Sequence, residues 1–316
     1  MPEGHSIHRL ARQFTDVFAG QRLRVSSPQG RFEAGARLLD SQVLRGARAH
    51  GKHLFLDFGD PGATDGDARR VLRVHLGLYG AFSFGGDETF RGASSIGAPR
   101  RMGETDTFEA PPDAPEHDDG PALAYAGPPE PVGQVRVRLV SDHGWADLRG
   151  PSACEVITPA EAAAVVDRLG PDPLGPEPGP ERFLERVSGR GVALGQLLMD
   201  QAVLAGAGNI YRAESLFRQG LDPWLPGKRL GRPAGAALWE DLVELMQDGV
   251  RRGRIITTRP EHRGALTEEG EPAPLWPDNA YYVYQRDGLD CRVCGAEVRR
   301  ATMQGRSLFW CPRCQS

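Results

Sequence analysis

Two cysteine pairs near the C-terminus limit what this chain can fold into more than any other feature. Cys291-x-x-Cys294 and Cys311-x-x-Cys314 are separated by 16 residues. Four thiolates at this spacing bind one tetrahedral Zn²⁺, and each pair forms a tight knuckle at the base of a β-hairpin. Because no coordination position stays open, such a site folds the hairpin and does no chemistry. The sequence predicts one structural zinc; the alternative is four thiols without metal. The isolated Cys154 is interpreted as a small buried hydrophobic residue rather than a nucleophile.

Charge is distributed unevenly along the 316 residues, whose net charge is −4. Residues 1–56 carry nine Lys/Arg against four Asp/Glu, residues 57–133 carry six against fourteen, and residues 291–316 carry five against one. Phosphate binding depends on the local field at the docking surface. The basic ends therefore remain compatible with nucleic acid, and the hairpin arginines Arg299, Arg300 and Arg306 form a candidate phosphate site; alternatively, they form a solvated charged face.

Hydrophobic periodicity divides the chain into a β-rich part and a helical part. A short opening helix over 7–14 precedes strand-like runs at 43–44, 54–58, 71–76 and 135–140, which favours a β-sandwich. Residues 85–133 are acidic and poor in apolar side chains, so we expect a mobile insert there, on the outer surface. A helix over 158–169 should begin at the capping box of Thr158 and Glu161.

The second half shows helical periodicity at 183–187, 194–203, 210–217 and 236–246. The predicted fold is α+β with two domains. An N-terminal β-sandwich with flanking helices covers residues 1–169, and a Pro/Gly-rich linker covers 170–180. A helical domain covers 181–257, and a C-terminal segment over 258–316 contains the zinc-binding β-hairpin at 286–316. Without a membrane-spanning run or a secretory signal, we expect a cytoplasmic protein.

Pro2 and Glu3 are candidate catalytic residues. Removal of Met1 would leave the secondary amine of Pro2 as the chain's first group, and an α-amino group titrates near ~8, so a useful fraction is neutral and nucleophilic. Its attack on a sugar C1′ carbon gives an iminium that accepts electrons during elimination. The neighbouring Glu3 carboxylate suits proton transfer. Taken alone, Pro2 and Glu3 favour the alternative, a disordered start of the chain.

A glycine-rich turn, Gly206-Ala207-Gly208-Asn209, leads into a helix in the second half. Unpaired N–H groups of such turns and of helix N-termini suit a phosphate, and the Asn209 side chain adds a donor. Asn is also an ordinary helix cap, so this turn alone is a weak signal.

Taken together, these motifs resemble the formamidopyrimidine-DNA glycosylase and endonuclease VIII family, and its actinobacterial endonuclease VIII-like branch in particular. The resemblance covers nearly the whole chain apart from the acidic insert. The motifs that carry it are Met-Pro-Glu-Gly-His at 1–5, Gly-Lys-His-Leu at 51–54, His-Leu-Gly-Leu-Tyr-Gly at 75–80, Leu-Leu-Met-Asp-Gln at 197–201, the stretch 206–214, Val-Tyr-Gln-Arg at 283–286, and Gly305-Arg306 before the last cysteine pair.

The resemblance implies a bifunctional glycosylase and AP lyase of base excision repair acting on damaged double-stranded DNA as a monomer associated with the bacterial nucleoid. Pro2 would form the Schiff base, Glu3 would act as general acid, and Lys52 would contact phosphate and assist the second elimination. Asn209 and Arg306 would contact the phosphates flanking a flipped nucleotide. Leu78 and Tyr79 would fill the gap left by the flipped nucleotide, and Arg149 would meet its orphaned partner base.

Three positions depart from the family pattern. Ser6 replaces a second glutamate, Gly77 replaces a polar wedge residue, and no aromatic residue follows Arg149 where the family has one. Leu78-Tyr79 favours oxidised pyrimidines as substrates, with oxidised purines as one alternative. A second alternative is a zinc protein that binds damaged DNA without cleaving it.

Overall fold

The computed structural model describes residues 2–60, 69–97, 127–176, 179–263 and 278–316. It divides into two compact units, Met1–Asp167 and Arg168–Ser316. The predicted α+β fold is confirmed: the first unit is a β-sandwich with flanking helices, and the second is helical with a C-terminal β-hairpin. In the part of the chain that the structure describes, no helix is long and apolar enough to cross a membrane.

The first unit contains nine strands in an antiparallel arrangement with the order β6-β5-β8-β7-β1-β2-β3-β4-β9. Only two residue pairs join β1 to β2, so the strands on either side form two layers around one apolar core. The elements are α1 (Gly4–Phe18), β1 (Arg22–Ser26), α2 (Glu33–Leu39), β2 (Gln42–His50), β3 (His53–Phe58), β4 (Arg70–His75), β5 (Ala81–Gly86), β6 (Ser95–Gly97), β7 (Val135–Val140), β8 (Gly144–Arg149), β9 (Ala153–Ile157) and α3 (Pro159–Asp167).

The orientation of α1 determines where the N-terminal residues lie. Past the end of α1, the Gly20 N–H donates to the carbonyl of Leu44, and within it Thr15 hydrogen-bonds the backbone of Ala47. Residues earlier in α1 therefore lie beside residues later in β2, so the two elements run in opposite directions. The N-terminal end of α1 therefore points toward the same end of the sandwich as the turn that follows β2.

The acidic insert begins later than the sequence suggested. Instead of a loop from residue 85, β5 continues to Gly86 and β6 adds an edge strand. The side-chain amide of Gln13 bonds both the N–H and the carbonyl of Ala93, and Ile96 is buried, so this segment is part of the sandwich despite its glycines. Of the rest of the predicted mobile insert, residues 98–126 lie outside the described residues and residues 127–133 form no helix or strand.

The second unit packs its helices around Trp239 and Tyr211, both buried. Its apolar contacts continue into the C-terminal hairpin through Phe217 and Phe309. The elements are α4 (Glu181–Ser188), α5 (Leu194–Leu197), α6 (Asn209–Arg218), α7 (Arg232–Arg252), β10 (Arg299–Met303) and β11 (Arg306–Trp310).

The segment predicted as a linker is partly packed. The Gly170 N–H donates to the carbonyl of Gln201, and the Ala205 N–H donates to the carbonyl of Pro171. These bonds attach the start of the Pro/Gly-rich stretch to the second unit. Just before it, the predicted capping box is confirmed, because Thr158 and Glu161 exchange side chain-to-backbone hydrogen bonds of 2.8 and 3.2 Å.

Candidate nucleic-acid interface and active site

Pro2 and Glu3 immediately precede the first turn of α1. Glu3 has an extended backbone at the N-cap position, and its carbonyl accepts the N–H of Ser6 at 3.0 Å. Both residues are buried, and the Glu3 side chain has no exposed surface. The positive end of the helix dipole stabilises an anion and destabilises a cation at this position. The arrangement suits a carboxylate beside a neutral amine.

Lys52 lies in the two-residue turn between β2 and β3, which is closed by the pair His50 and His53. Gly51 has φ +57°, the positive value that the first position of such a hairpin turn demands. The turn presents a half-buried Lys52 at the end of the sandwich toward which the N-terminal end of α1 points.

Two histidines beside this turn are functional candidates that sequence reasoning missed. The rings of His53 and His75 lie 5.0 Å apart, centroid to centroid. Burial, followed by the charges of His75 and Arg73, lowers the pKa of His53 to about 3. Burial, followed by the Lys52 and Arg73 cations, also lowers the pKa of His75. Both imidazoles are therefore neutral near pH 7, and Arg73 is paired with Glu155.

Leu78 and Tyr79, the wedge pair, follow β4 in a turn and are 49% and 76% exposed. Large apolar side chains so exposed do not serve the core. Arg149 lies nearby but is extensively bonded. It donates to the carbonyl of Val132 at 2.8 Å, to the Ser83 hydroxyl at 3.0 Å and to the Asp147 carboxylate at 3.1 Å.

In the second unit, the glycine-rich turn is shaped by Gln201. Its side-chain oxygen accepts the N–H of Gly206, and its side-chain nitrogen donates to the carbonyl of Ala207. Asn209 is the first residue of α6, with Gly208 at the N-cap. The turn is therefore held by side-chain hydrogen bonds and opens directly onto a helix N-terminus.

Arg306 begins β11 at the end of the zinc hairpin. Gln304 and Gly305 both have positive φ, +49° and +70°, as a type I′ turn requires. Met303 pairs with Arg306 across this turn. The Arg306 side chain is exposed, and no residue that the structure describes accepts a hydrogen bond or ion pair from it, so its guanidinium is available to an external anion.

The turn before α6 and the hairpin meet at the Ser307 carbonyl. Asn209 Nδ2 donates to this oxygen at 2.9 Å, and a second donor to it is Arg212 at 3.1 Å. Arg212 also donates to Asn209 Oδ1 and is fully buried. Sequence reasoning missed Arg212 and Ser307, although an arginine one turn into a helix after Asn209 was a visible signal.

Glu214 fixes the other side of α6. Its buried carboxylate accepts the backbone N–H groups of Tyr282, Val283 and Tyr284 at 2.7–2.8 Å and contacts the hydroxyl of Thr257. Burial raises the pKa of this carboxyl, and the four hydrogen bonds oppose that rise. The bonds attach the segment that leads into the zinc hairpin to the helix that Asn209 begins.

The four cysteines converge as the spacing predicted. The sulfurs of Cys291, Cys294, Cys311 and Cys314 all lie within 4.8 Å of one another. Thiolates at about 2.3 Å from a tetrahedral zinc are about 3.8 Å apart. The Cys291–Cys314 and Cys294–Cys311 sulfur separations of 3.9 and 3.4 Å are close to this value. The set fits one structural zinc.

A glycine-rich turn on a helix N-terminus, joined to a basic zinc hairpin, is typical of proteins that bind nucleic-acid phosphates. Three family models match in succession along the chain. They are the formamidopyrimidine-DNA glycosylase N-terminal domain over residues 1–126, the formamidopyrimidine-DNA glycosylase H2TH domain over 169–261, and the zinc finger found in FPG and IleRS over 288–316.

Full-length relatives agree with the domain matches. Endonuclease 8 1 of Mycobacterium tuberculosis is 44% identical over 317 residues, covering 100% of both chains. Formamidopyrimidine-DNA glycosylase of Bordetella avium is 29% identical over 100% of this chain and 99% of its own. Lactococcus lactis Fpg in complex with DNA containing an abasic site has a similar fold, with a TM-score of 0.68, 19% identity and 99% coverage of both chains.

This chain belongs to the formamidopyrimidine-DNA glycosylase and endonuclease VIII family. It is a DNA glycosylase and AP lyase of base excision repair that removes oxidised bases from damaged DNA. Its C-terminal hairpin is the zinc finger that the cysteine spacing predicted, which confirms the structural zinc.

Proposed function

We propose that the chain excises oxidised pyrimidines through a Schiff base at Pro2 and then cleaves the strand by β,δ-elimination. The observation that carries this proposal is the position of Pro2 and Glu3. They precede a helix whose N-terminal end points toward the same end of the sandwich as the Lys52 turn, where the exposed wedge pair also follows β4. Base excision and elimination need an amine, a carboxyl group, a cation and a pair of residues that fills the gap.

The chemistry starts once Met1 is removed. The lone pair of the Pro2 nitrogen forms a bond to C1′, and the base leaves with the electrons of the glycosidic bond. Glu3 takes up the N–H proton of Pro2 as this bond forms and passes it to the deoxyribose ring oxygen as the ring opens, giving an iminium between Pro2 and C1′. The Glu3 carboxylate then accepts a C2′ proton as the 3′ phosphate leaves, and a second elimination expels the 5′ phosphate. Hydrolysis of the imine releases Pro2 and leaves a one-nucleotide gap.

The other site residues bind and position the DNA. Lys52 contacts the phosphate beside the lesion and assists the second elimination. Asn209 and Arg306, held together through Ser307, contact the phosphates flanking the flipped nucleotide. The exposed wedge pair fills the space that the flipped nucleotide leaves. Arg149 reaches the orphaned base only by giving up one of its three internal hydrogen bonds.

The preference for pyrimidines rests on the wedge pair and on the relative named Endonuclease 8 1, which is 44% identical. Relatives named formamidopyrimidine-DNA glycosylase, at 28–29% identity over the whole chain, support the alternative of oxidised purines. A panel of duplexes that differ only in the lesion separates the two. Faster excision of an oxidised pyrimidine than of an oxidised purine supports the proposal, and the reverse order refutes it.

Borohydride trapping tests the Schiff base directly. With a duplex containing one abasic site, borohydride should reduce the imine to a stable adduct that peptide mass spectrometry locates at Pro2. Protein that retains Met1 or carries an N-terminal acetyl group is the matched control and should form no adduct. Normal DNA binding without an adduct in correctly processed protein would favour the non-cleaving alternative. Full strand cleavage by the blocked protein would refute the mechanism.

A further inference from the structure

We propose that Ser152 is a positioning residue: with the Gly77 backbone, it holds the imidazole of His75 as a neutral Nε2–H donor to the DNA strand beside Lys52. The inference rests on the proposed function, because it assigns the strand at the Lys52 turn to the substrate. The role proposed for Ser152 is new relative to the catalytic set of Pro2, Glu3 and Lys52.

Two donors converge on one nitrogen of His75. The Gly77 N–H lies 3.1 Å from Nδ1, and the Ser152 hydroxyl lies 2.8 Å from the same atom. A backbone N–H cannot accept a hydrogen bond, so Nδ1 is the unprotonated nitrogen. In a neutral imidazole the remaining proton is then on Nε2. Protonation of Nδ1 would sacrifice the Gly77 hydrogen bond and would turn the Ser152 hydroxyl from donor to acceptor, so the observed pair of donors selects the bare Nδ1.

The backbone around Ser152 fixes its hydroxyl. The Ser152 N–H donates to the carbonyl of His75 at 2.9 Å, and the neighbouring residues Ala153 and His75 are paired between β9 and β4. The hydroxyl also lies 3.0 Å from the same carbonyl, a second acceptor for its single proton. Ser152 therefore contacts both the backbone carbonyl and the ring of His75, the last residue of β4. The wedge pair follows shortly after this residue.

The backbone and the surroundings of Gly77 favour glycine at this position. Its φ is +69°, and a Cβ atom there would lie 2.9 Å from Cβ and 3.0 Å from Oγ of Ser152. The space that such a side chain would need is occupied by the serine that bonds His75. Gly77 and Ser152 are thus packed directly against each other. Leu78, the first residue of the wedge pair, follows Gly77 in the chain.

The surroundings of His75 favour a neutral donor. Lys52 and Arg73 are the cations that act on it, and His53 packs against its ring. Arg73 donates to Nδ1 of His53 at 3.2 Å and is paired with Glu155. His53 is therefore also an Nε2–H imidazole. A neutral donor adds affinity for the DNA backbone without releasing a counterion, so it contributes no salt dependence.

The first test measures the tautomer without DNA or activity. In the full-length zinc-loaded protein, nitrogen chemical shifts of the His75 ring should show a bare Nδ1 and a protonated Nε2 near pH 7. In Ser152→Ala, which removes one of the two donors to Nδ1, part of the neutral ring population should shift to the Nδ1–H tautomer. Ser152→Thr, which keeps the hydroxyl, should restore the wild-type tautomer. A protonated Nδ1 in the wild type, or the same tautomer in all three proteins, would overturn the proposal.

The second test measures binding to an abasic-site duplex. Ser152→Ala should weaken binding at pH 7.5 by roughly threefold to tenfold, the effect of one lost hydrogen bond. The salt slope should stay unchanged, because the lost interaction is with a neutral donor. Ser27→Ala, which removes a similarly bonded hydroxyl elsewhere in the first unit, is the matched control. If the control weakens binding equally, Ser152 has only a structural role.

A double mutant distinguishes this proposal from the proposed function. His75→Gln keeps a neutral donor near the Nε2 position but has no ring nitrogen for Ser152 to bond. Adding Ser152→Ala to His75→Gln should then have no further effect on affinity; additive losses would overturn the proposal. Failure of the Pro2 trapping experiment would refute the Schiff base and leave the tautomer result unaffected.

Discussion

Asn209 donates a hydrogen bond of 2.9 Å to the carbonyl of Ser307, 98 residues further along the chain. The bond joins the first residue of α6 to the second residue of β11. Buried Arg212 donates to the same oxygen, so the carbonyl has two partners. The distance between the glycine-rich turn and Arg306 is thus set by hydrogen bonds within the second unit. Two candidate phosphate-binding groups far apart in sequence are thereby held close to each other before any ligand binds.

Replacing Arg306 by Gln should weaken binding to all lesion duplexes by a similar factor. Arg306 is exposed at the end of the hairpin, and a phosphate contact carries no base information. The slope of log K against log salt concentration should become shallower by about 0.9, the value for one phosphate contact. Arg299→Gln, at the opposite end of the same hairpin, is the control and should change the slope less. A loss restricted to one lesion would mean that Arg306 reads the base.

Removing zinc should abolish DNA binding. The hairpin carries both Arg306 and the carbonyl that positions Asn209, so its unfolding removes two contacts at once. Cys294→Ser should lower the zinc content from one ion per chain and weaken binding to an abasic duplex, measured by metal analysis and fluorescence anisotropy. Cys154→Ala is the control: burial raises the pKa of its thiol to about 12, and it should retain zinc and affinity. Unaltered DNA affinity in the metal-free protein would contradict the expectation.

Local patterns predicted the features that depend on neighbouring residues. The zinc ligands and the Thr158–Glu161 capping box follow from short spacings, and both are present. Hydrophobic periodicity did not single out the strands β8 and β9. Both are short, with Gly144 and Pro151 at or near their starts, and their apolar residues alternate weakly. Their place in the sheet comes from pairing with β5, β7 and β4.

The part of the site that sequence reasoning missed depends on long-range hydrogen bonds. Ser152 bonds His75 across 77 positions, and Arg212 bonds Ser307 across 95. Neither pair has a periodic or motif signature, because their chemistry depends on which strands and helices meet. A resemblance supplies roles for known positions such as Asn209, whereas the residues that hold those positions in place emerge only from the structure.

Glu3→Gln should separate the two activities. Base excision needs a proton on the ring oxygen, and Gln cannot supply it. An abasic site has already lost its base, so Pro2 can still attack its aldehyde and some strand cleavage should persist. Rates on a lesion duplex and on an abasic duplex, measured side by side, check this. Glu33→Gln, on exposed α2, is the control and should leave both rates unchanged. Equal losses of both activities in Glu3→Gln would contradict this division of roles.

Stability of the protein should fall on mild acidification, in part through His53. Burial lowers its pKa in the folded state to about 3, whereas in the unfolded chain it titrates near ~6.5. As the pH falls below the unfolded value, the unfolded state therefore binds a proton that the folded state does not. The free energy of unfolding decreases by up to about 1.4 kcal/mol per pH unit over this window. His53→Gln removes the titrating group, so its stability should fall less steeply between pH 6 and 4 in urea unfolding. Parallel pH profiles of the variant and the wild type would mean that His53 is protonated in the folded protein.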